Sequence, residues 1–243
     1  MSKLYDFWSP HIDEAEMTFY RQAIKDAKGK VLELACAGGR LLLPFLSEGY
    51  DVEGVDASPA MIEVLRKKAA KAKLTPTLYC QKLEDLEIKK KYRLIYISLG
   101  SIQLIKDPED VKLLFRKCYQ MLEEGGQLIV AFFLPWAELP IGSPGWKVVG
   151  DVRDRKRNVR HIRRENSVQD PVEQTIFSQI RFEIWQGRYL LEMEEKEIFM
   201  RWYVKGECHM MFKDAGFEVI EMQRSYKKNA PPRSSFMLFK ATK

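Results

Sequence analysis

The chain has 243 residues, 46% hydrophobic and 12% aromatic, enough for one elaborated α/β domain or two small ones around an ordinary globular core. Its net charge of +6 permits an anionic partner without demanding one. Cys36, Cys80, Cys118 and Cys208 are scattered with no Cys-x-x-Cys pair, and the three histidines form no ligand set, so neither a disulfide framework nor a metal site is expected. No run approaches the about 18 apolar residues of a membrane span. Met1–Trp8 lacks the apolar core of a secretory signal, so a cytoplasmic chain with reduced thiols is expected.

In chain order, Val31–Leu34 is a short apolar run that empties into Ala35-Cys36-Ala37-Gly38-Gly39. Arg40–Leu46 then reads as a helix closing near Gly49. The pattern repeats with a strand at Asp51–Val55, Ser58 as N-cap and Pro59 at the first helical position. The following helix turns Met61, Ile62, Val64, Leu65 and Ala69 inward and Lys67, Lys68 and Lys71 to water. Strands at Thr77–Cys80 and Leu94–Leu99 come next, then a helix over Asp107–Leu122, a turn at Glu123–Gly126 and a strand at Gln127–Phe133. This alternation predicts parallel βαβ units in a doubly wound sheet.

The regime then changes. Leu134–Gly150, with Trp136 and Trp146, is rich in proline and glycine and reads as a loop. Alternating patterns at Asn158–Arg164, Gln174–Trp185 and Tyr189–Met200, with Gly187 as a hairpin turn, predict an antiparallel β insertion over 147–201. It interrupts an α/β domain of residues 1–146 and 202–243. Helix returns at Lys205–Ala215 with Gly216 as C-cap. Phe217–Arg224 and Ser235–Lys240, joined through Pro231-Pro232, complete a mostly parallel seven-stranded sheet.

A strand that ends in small residues and then a helix presents unpaired backbone N–H groups and a positive dipole end at the sheet's C-terminal edge. Ligands of open parallel sheets bind at that edge. The loop lacks the Gly-Lys-Ser/Thr of a phosphate-binding P-loop and the Gly-x-Gly-x-x-Gly of a dinucleotide site. A nucleoside ligand without pyrophosphate remains, with Glu33 close enough to receive a cationic or amino group.

Glu33-Leu34-Ala35-Cys36-Ala37-Gly38-Gly39-Arg40 resembles the first motif of class I S-adenosylmethionine-dependent methyltransferases, and Gly54-Val55-Asp56-Ala57-Ser58-Pro59-Ala60-Met61 resembles their second. Leu83-Glu84-Asp85-Leu86 sits where the family's adenine-contacting loop follows the third strand. Leu122–Gly126 and Ala215-Gly216-Phe217 match the turns before its fifth and sixth strands. The matches run in order over most of the chain outside the insertion. The resemblance implies a Rossmann-like fold, and S-adenosyl-L-methionine held by Glu33, Ala35, Ala37, Gly39, Asp56, Ala57, Met61, Leu83, Glu84 and Leu99. Two departures stand out. Alanine occupies positions 35 and 37 where the family commonly has glycine; Ala35 is expected to be mild, whereas Ala37 costs about 1 kcal/mol if its φ is positive. Lys82 stands where an aspartate is frequent, which shifts adenine contacts to Leu83 and Glu84.

Several residues have two readings. Asp56 either holds ribose or caps the next helix. Glu33 either meets the cofactor or is a buried acid paired with the N-terminal segment. Met61 packs on adenine or only on the core, and Cys36 is read as a small buried filler rather than a nucleophile. Arg153, Arg155, Lys156, Arg157, Arg160, Arg163 and Arg164 form a basic stretch that is either a solvated strand face or a nucleic-acid footprint, with His161 expected at the surface.

Methyl transfer mainly requires alignment and desolvation, so no motif fixes a catalytic residue. Tyr5, Trp8, Trp136, Arg201 (with neighbouring Trp202) and Tyr203 are the candidates for the acceptor pocket. The insertion resembles that of small-molecule N-methyltransferases, in which it roofs the active site; a small molecule with an N or O nucleophile is the expected acceptor. An RNA or protein acceptor using the basic stretch is the alternative, and a noncatalytic cofactor-binding protein is a third. Neither the acceptor nor the oligomeric state is legible.

Overall fold

The computed structural model describes residues 13–134, 145–155, 157–227 and 236–243. They fall into two compact units: one holds the described residues up to Leu134 and from Tyr203 onward, the other residues 145–202.

The larger unit runs α1 (Glu14–Ala27), β1 (Val31–Leu34), α2 (Leu42–Ser47), β2 (Val52–Asp56), α3 (Pro59–Lys71), β3 (Leu78–Cys80), β4 (Tyr92–Ile97), a 3-10 turn (Ser101–Leu104), α4 (Pro108–Met121) and β5 (Leu122–Phe133). Beyond the second unit come α5 (Lys205–Asp214), β10 (Val219–Gln223) and β11 (Phe236–Thr242). Its seven strands lie in the order β10-β11-β5-β4-β1-β2-β3, with β11 antiparallel to both neighbours. The expected α/β sheet is thus present, and strand order reverses at β1/β4, where such sheets bind ligands.

Both faces of this sheet are covered, which is why its central strands are almost continuously apolar. Leu32, Leu34, Ile95 and Ile97 pack with Leu114, Phe115 and Phe212 on one face. Val31, Leu94 and Tyr96 pack with Tyr20, Ile24, Phe45 and Leu65 on the other. The helix starts follow their caps: Ser58 Oγ accepts from Met61 N–H ahead of Pro59, and Asp107 accepts from Glu109 N–H ahead of Pro108.

Helix α1 has no counterpart in the sequence reading. Asp13 caps it, Glu14 and Glu16 favour its first turn, and Tyr20, Ile24 and Ala27 are buried at helical spacing. The stripe is hard to read because its fourth buried member is charged: Glu16 is 2% exposed. The turn expected at Glu123–Gly126 lies instead within β5, where pairing with β4 shifts register between Tyr92 and Leu94. Gly125 (φ 71°) absorbs the irregularity, so the two glycines mark a bulge rather than a break.

The second unit is an antiparallel sheet of four strands, β6 (Lys147–Asp154), β7 (Val159–Asp170), β8 (Thr175–Gln186) and β9 (Tyr189–Arg201), paired in sequence order. Strand β6 corrects the loop expected to extend to Gly150: it is an edge strand, exposed along most of its length, so it carries little burial pattern. Gly187 (φ 57°) makes the β8–β9 turn. Three members of the basic stretch are hydrogen-bonded to carboxylates and a fourth lies near one. Arg160 Nε donates to Asp151 Oδ1 at 2.8 Å, Arg163 to Glu165 at 3.2 Å and Arg164 to Glu183 at 3.0 Å, while Arg157 lies 3.9 Å from Asp154. His161 is not a surface residue. It is 7% exposed, and burial lowers its pKa, which favours the neutral ring.

Candidate active site

The parallel pairing of β1 with β2 sets Leu34 opposite Val55, so the loop leaving β1 emerges beside Asp56 at the end of β2. That loop is left-handed three times: Ala35 (φ 58°), Ala37 (φ 45°) and Gly39 (φ 79°). The cost expected of Ala37 therefore applies, and Ala35 is corrected from a mild change to a second site of the same kind. Each Cβ in that region costs about 1 kcal/mol.

Four ties offset this strain. Ala37 N–H donates to Asp56 Oδ2 at 2.8 Å, and Cys36 N–H to the Val55 carbonyl at 2.9 Å. Lys68 Nζ of α3 reaches the Gly38 carbonyl at 3.4 Å. Arg40 grips Glu16 of α1 through both terminal nitrogens, at 2.5 and 2.8 Å. The loop is thus fastened to β2, α3 and α1 together. Gly54 makes this possible, since a Cβ there would lie 2.8 Å from Cys36 Sγ and 2.5 Å from Leu42 Cδ1. Cys36 is a buried filler, its thiol pKa raised by burial.

Of its two sequence readings, Asp56 shows the one at the entry to the next helix, and it also ties the loop. Oδ1 accepts from Ser58 N–H at 2.8 Å at the entry to α3, while Oδ2 holds the loop. A carboxylate offers about four acceptor positions, and the side chain is partly exposed, so capacity remains for a pair of ribose hydroxyls.

Glu33 is 2% exposed and sits opposite Tyr96 in the β1–β4 register. Tyr96 Oη donates to its Oε2 at 3.0 Å. Burial raises the Glu33 pKa to about 8, against the opposing pull of the Tyr96 hydrogen bond and the Arg40 charge. Among the described residues Glu33 is bonded to Tyr96, while the ion pair that holds helix α1 to the loop is Glu16–Arg40. A buried carboxyl held near neutrality suits a ligand that brings its own ammonium group, because that charge would offset the desolvation of the carboxylate.

The remaining candidates divide. Met61 and Leu83 are each 8% exposed, whereas Ala57 is exposed. The Glu84 carbonyl accepts from Lys117 Nζ at 2.7 Å, which fixes the loop after β3. Leu99 (φ 52°) and Gly100 (φ 73°) turn the chain at the end of β4. Tyr203 is fully buried, edge-on to Phe132 in the core of the larger unit, while Arg201 belongs to the antiparallel unit. Tyr5, Trp8, Trp136, Lys156 and the Pro231-Pro232 turn lie outside the described residues.

Sequence reasoning missed Glu16 and Tyr20, gave Arg40, Tyr96 and Tyr226 no role, and passed over Gln103. Gln103 is completely buried; its Oε1 accepts from Phe133 N–H at 2.5 Å and its Nε2 donates to the Phe133 carbonyl at 3.1 Å. It staples the end of β5 to the turn after β4. A lone amide in the otherwise apolar run around Ile102 and Ile105 was the available signal.

Residues 31–126 match the family described as a methyltransferase domain. YqeM of Bacillus subtilis (strain 168), a methyltransferase by name, is 23% identical over 242 residues, 98% of this chain and 93% of that protein. A relative from Geobacillus sp. (strain WCH70), also named as a methyltransferase, is 26% identical over 125 residues, and there the match spans 51% of this chain and only 49% of the relative. Among solved structures, the sugar N-methyltransferase KedS8 from Streptoalloteichus sp ATCC 53650 superposes with a TM-score of 0.78 at 18% identity, covering 98% of this chain and 92% of that one.

Proposed function

The chain is an enzyme of the class I S-adenosylmethionine-dependent methyltransferase type, and we propose that its acceptor is a small molecule bearing an N or O nucleophile. Bound S-adenosylmethionine supplies an activated methyl group for in-line displacement by that nucleophile. In this reading Asp56 receives the ribose hydroxyls and Glu33 the amino group. The backbone of 35–39 lies against the ligand, and Met61 and Leu83 flank the adenine. The pre-tied loop means that little reorganisation is spent on binding.

The observation that carries the small-molecule reading is the internal pairing of the basic stretch. Arg160, Arg163 and Arg164 are hydrogen-bonded to Asp151, Glu165 and Glu183, so these three offer a nucleic acid a reduced positive footprint. Two further points support it. The likeness to the sugar N-methyltransferase KedS8 extends over 98% of the chain, including the antiparallel unit. We assign that unit to acceptor selection, with residues 1–146 and 202–243 as the cofactor-binding part.

The test is a transfer assay with methyl-labelled cofactor. Amino sugars, amino acids and phenolic or sugar hydroxyl compounds are offered in one set of reactions, and total RNA and protein in another. Label is expected in the small-molecule fraction. Label confined to RNA or protein, falling steeply with salt for RNA, would overturn the reading.

A further inference from the structure

Two acids on different elements, Glu33 of β1 and Glu16 of α1, are each 2% exposed and close enough for their charges to act on one another. They share one base. Arg40 gives both terminal nitrogens to Glu16, at 2.5 and 2.8 Å. Glu33 accepts from Tyr96 Oη at 3.0 Å and, among the described residues, makes no ion pair.

The surroundings of Glu33 make Arg40 its natural counter-ion. Tyr96 acts on it from β4, Glu16 and Tyr20 from α1, Asp56 from the end of β2, and Cys36 and Arg40 from the loop. Of these groups Arg40 alone is basic, and its charge already pulls on Glu33. A guanidinium presents its donors as a rigid fork, and a bidentate pair commits that fork to one carboxylate. While Glu16 fills it, Glu33 has no cation of its own.

Helix α1 is anchored by more than Glu16. Tyr20, Ile24 and Ala27 bury its apolar stripe, and Arg21 pairs with Glu48, just past α2, through two bonds of 2.8 Å. A buried ion pair gains little over apolar side chains of the same size, because desolvation cancels most of the attraction. An acid buried in the first turn of α1 therefore calls for a role besides stability.

We propose that Glu16 is a positioning residue of the cofactor site: it occupies Arg40, and so leaves the Glu33 carboxyl for the ligand's ammonium group. Without Glu16 the guanidinium would turn onto Glu33 and fill the oxygens that the ammonium needs. Releasing a proton at pH 7 from a group raised to about 8 costs the ligand about tenfold in affinity, which is less than breaking a buried bidentate ion pair would cost it. This rests on the placement of the amino group at Glu33 given above, and adds what keeps that carboxyl available.

Calorimetry of S-adenosylhomocysteine into the full chain at pH 7, in two buffers of different ionisation enthalpy, reads affinity and proton release together. The wild type is expected to release a proton as Glu33 ionises against the ammonium. Glu16→Gln should lose that release, because Arg40 already holds Glu33 ionised, and should bind at least about tenfold more weakly. Glu16→Gln/Arg40→Gln removes the competitor, while the loop keeps its ties to β2 and α3. It should recover the release and come within about threefold of wild-type affinity. Arg21→Gln, which breaks the other ion pair of α1, should change neither. Proton release that survives Glu16→Gln, a double variant no better than the single one, or an Arg21→Gln that weakens binding as much as Glu16→Gln overturns the role of Glu16. If Glu16→Gln does not fold, the double variant, which leaves no unpaired charge, still decides: near wild-type affinity with proton release supports the role, and a tenfold loss overturns it. A wild type that binds without releasing a proton contradicts the placement at Glu33 itself.

Discussion

Glu33 is a carboxyl whose protonation should report on ligand binding. Burial raises its pKa to about 8, with Tyr96 and Arg40 pulling down and Glu16 and Asp56 pushing up. A raised folded-state pKa contributes stability that is complete below the unfolded value near 4.5 and is lost as pH rises toward 8. The protein alone therefore carries Glu33 protonated at neutral pH, and a bound ammonium group should expel that proton. Cofactor affinity is expected to rise with pH up to about 8, and binding enthalpy at pH 7 to depend on the buffer's ionisation enthalpy. Glu33→Gln should abolish the buffer dependence; binding with no proton release in the wild type would contradict this role. Glu33 and Asp56 were legible in the sequence because their strands and motifs fix them. Tyr20 and Tyr226 were not: they lie 206 positions apart and meet only because α1 and the segment after β10 converge.

At the scale of elements, each half of the sheet has its own polar device. Toward the opposite edge from the cofactor loop, Glu53 of β2 is 2% exposed, yet it accepts from Lys30, Lys90, Tyr79 and Tyr92 at 2.8–3.2 Å. Burial pushes its pKa up, but the hydrogen bonds from Lys90, Tyr92, Tyr79 and Lys30 outweigh it and hold the value at about 2. This depressed pKa contributes stability that is present above about 4.5 and lost as pH falls toward 2. Glu53→Ala leaves the Tyr79 and Tyr92 hydroxyls without their partner, and should cost about 2–4 kcal/mol in urea unfolding at pH 7. A loss below about 0.5 kcal/mol would show the cluster to be ornamental. Strands β1, β2, β4 and the helices capped at Ser58 and Asp107 fell within a few residues of their expected bounds, since period, caps and prolines agree there. Helix α1 and strand β6 did not. A buried Glu16 makes sense only with Arg40, 24 residues on, and an exposed edge strand buries too little to leave a pattern.

On the scale of the whole molecule, the sequence showed a change of regime after Phe133, and the chain does form two units, an α/β sheet of seven strands and an antiparallel sheet of four. What it left open was whether the arginines of the second unit face a nucleic acid. That depended on cross-strand partners such as Asp151 and Glu183, which only the pairing register reveals. The account as a whole turns on the strained loop after β1 and on the carboxylate that holds it. Titration calorimetry of S-adenosylmethionine into the wild-type chain and Asp56→Ala tests this most directly. Saturable binding to the wild type, weakened about tenfold or more in Asp56→Ala, is the predicted result. No binding to the wild type, or undiminished affinity in the variant, would contradict it.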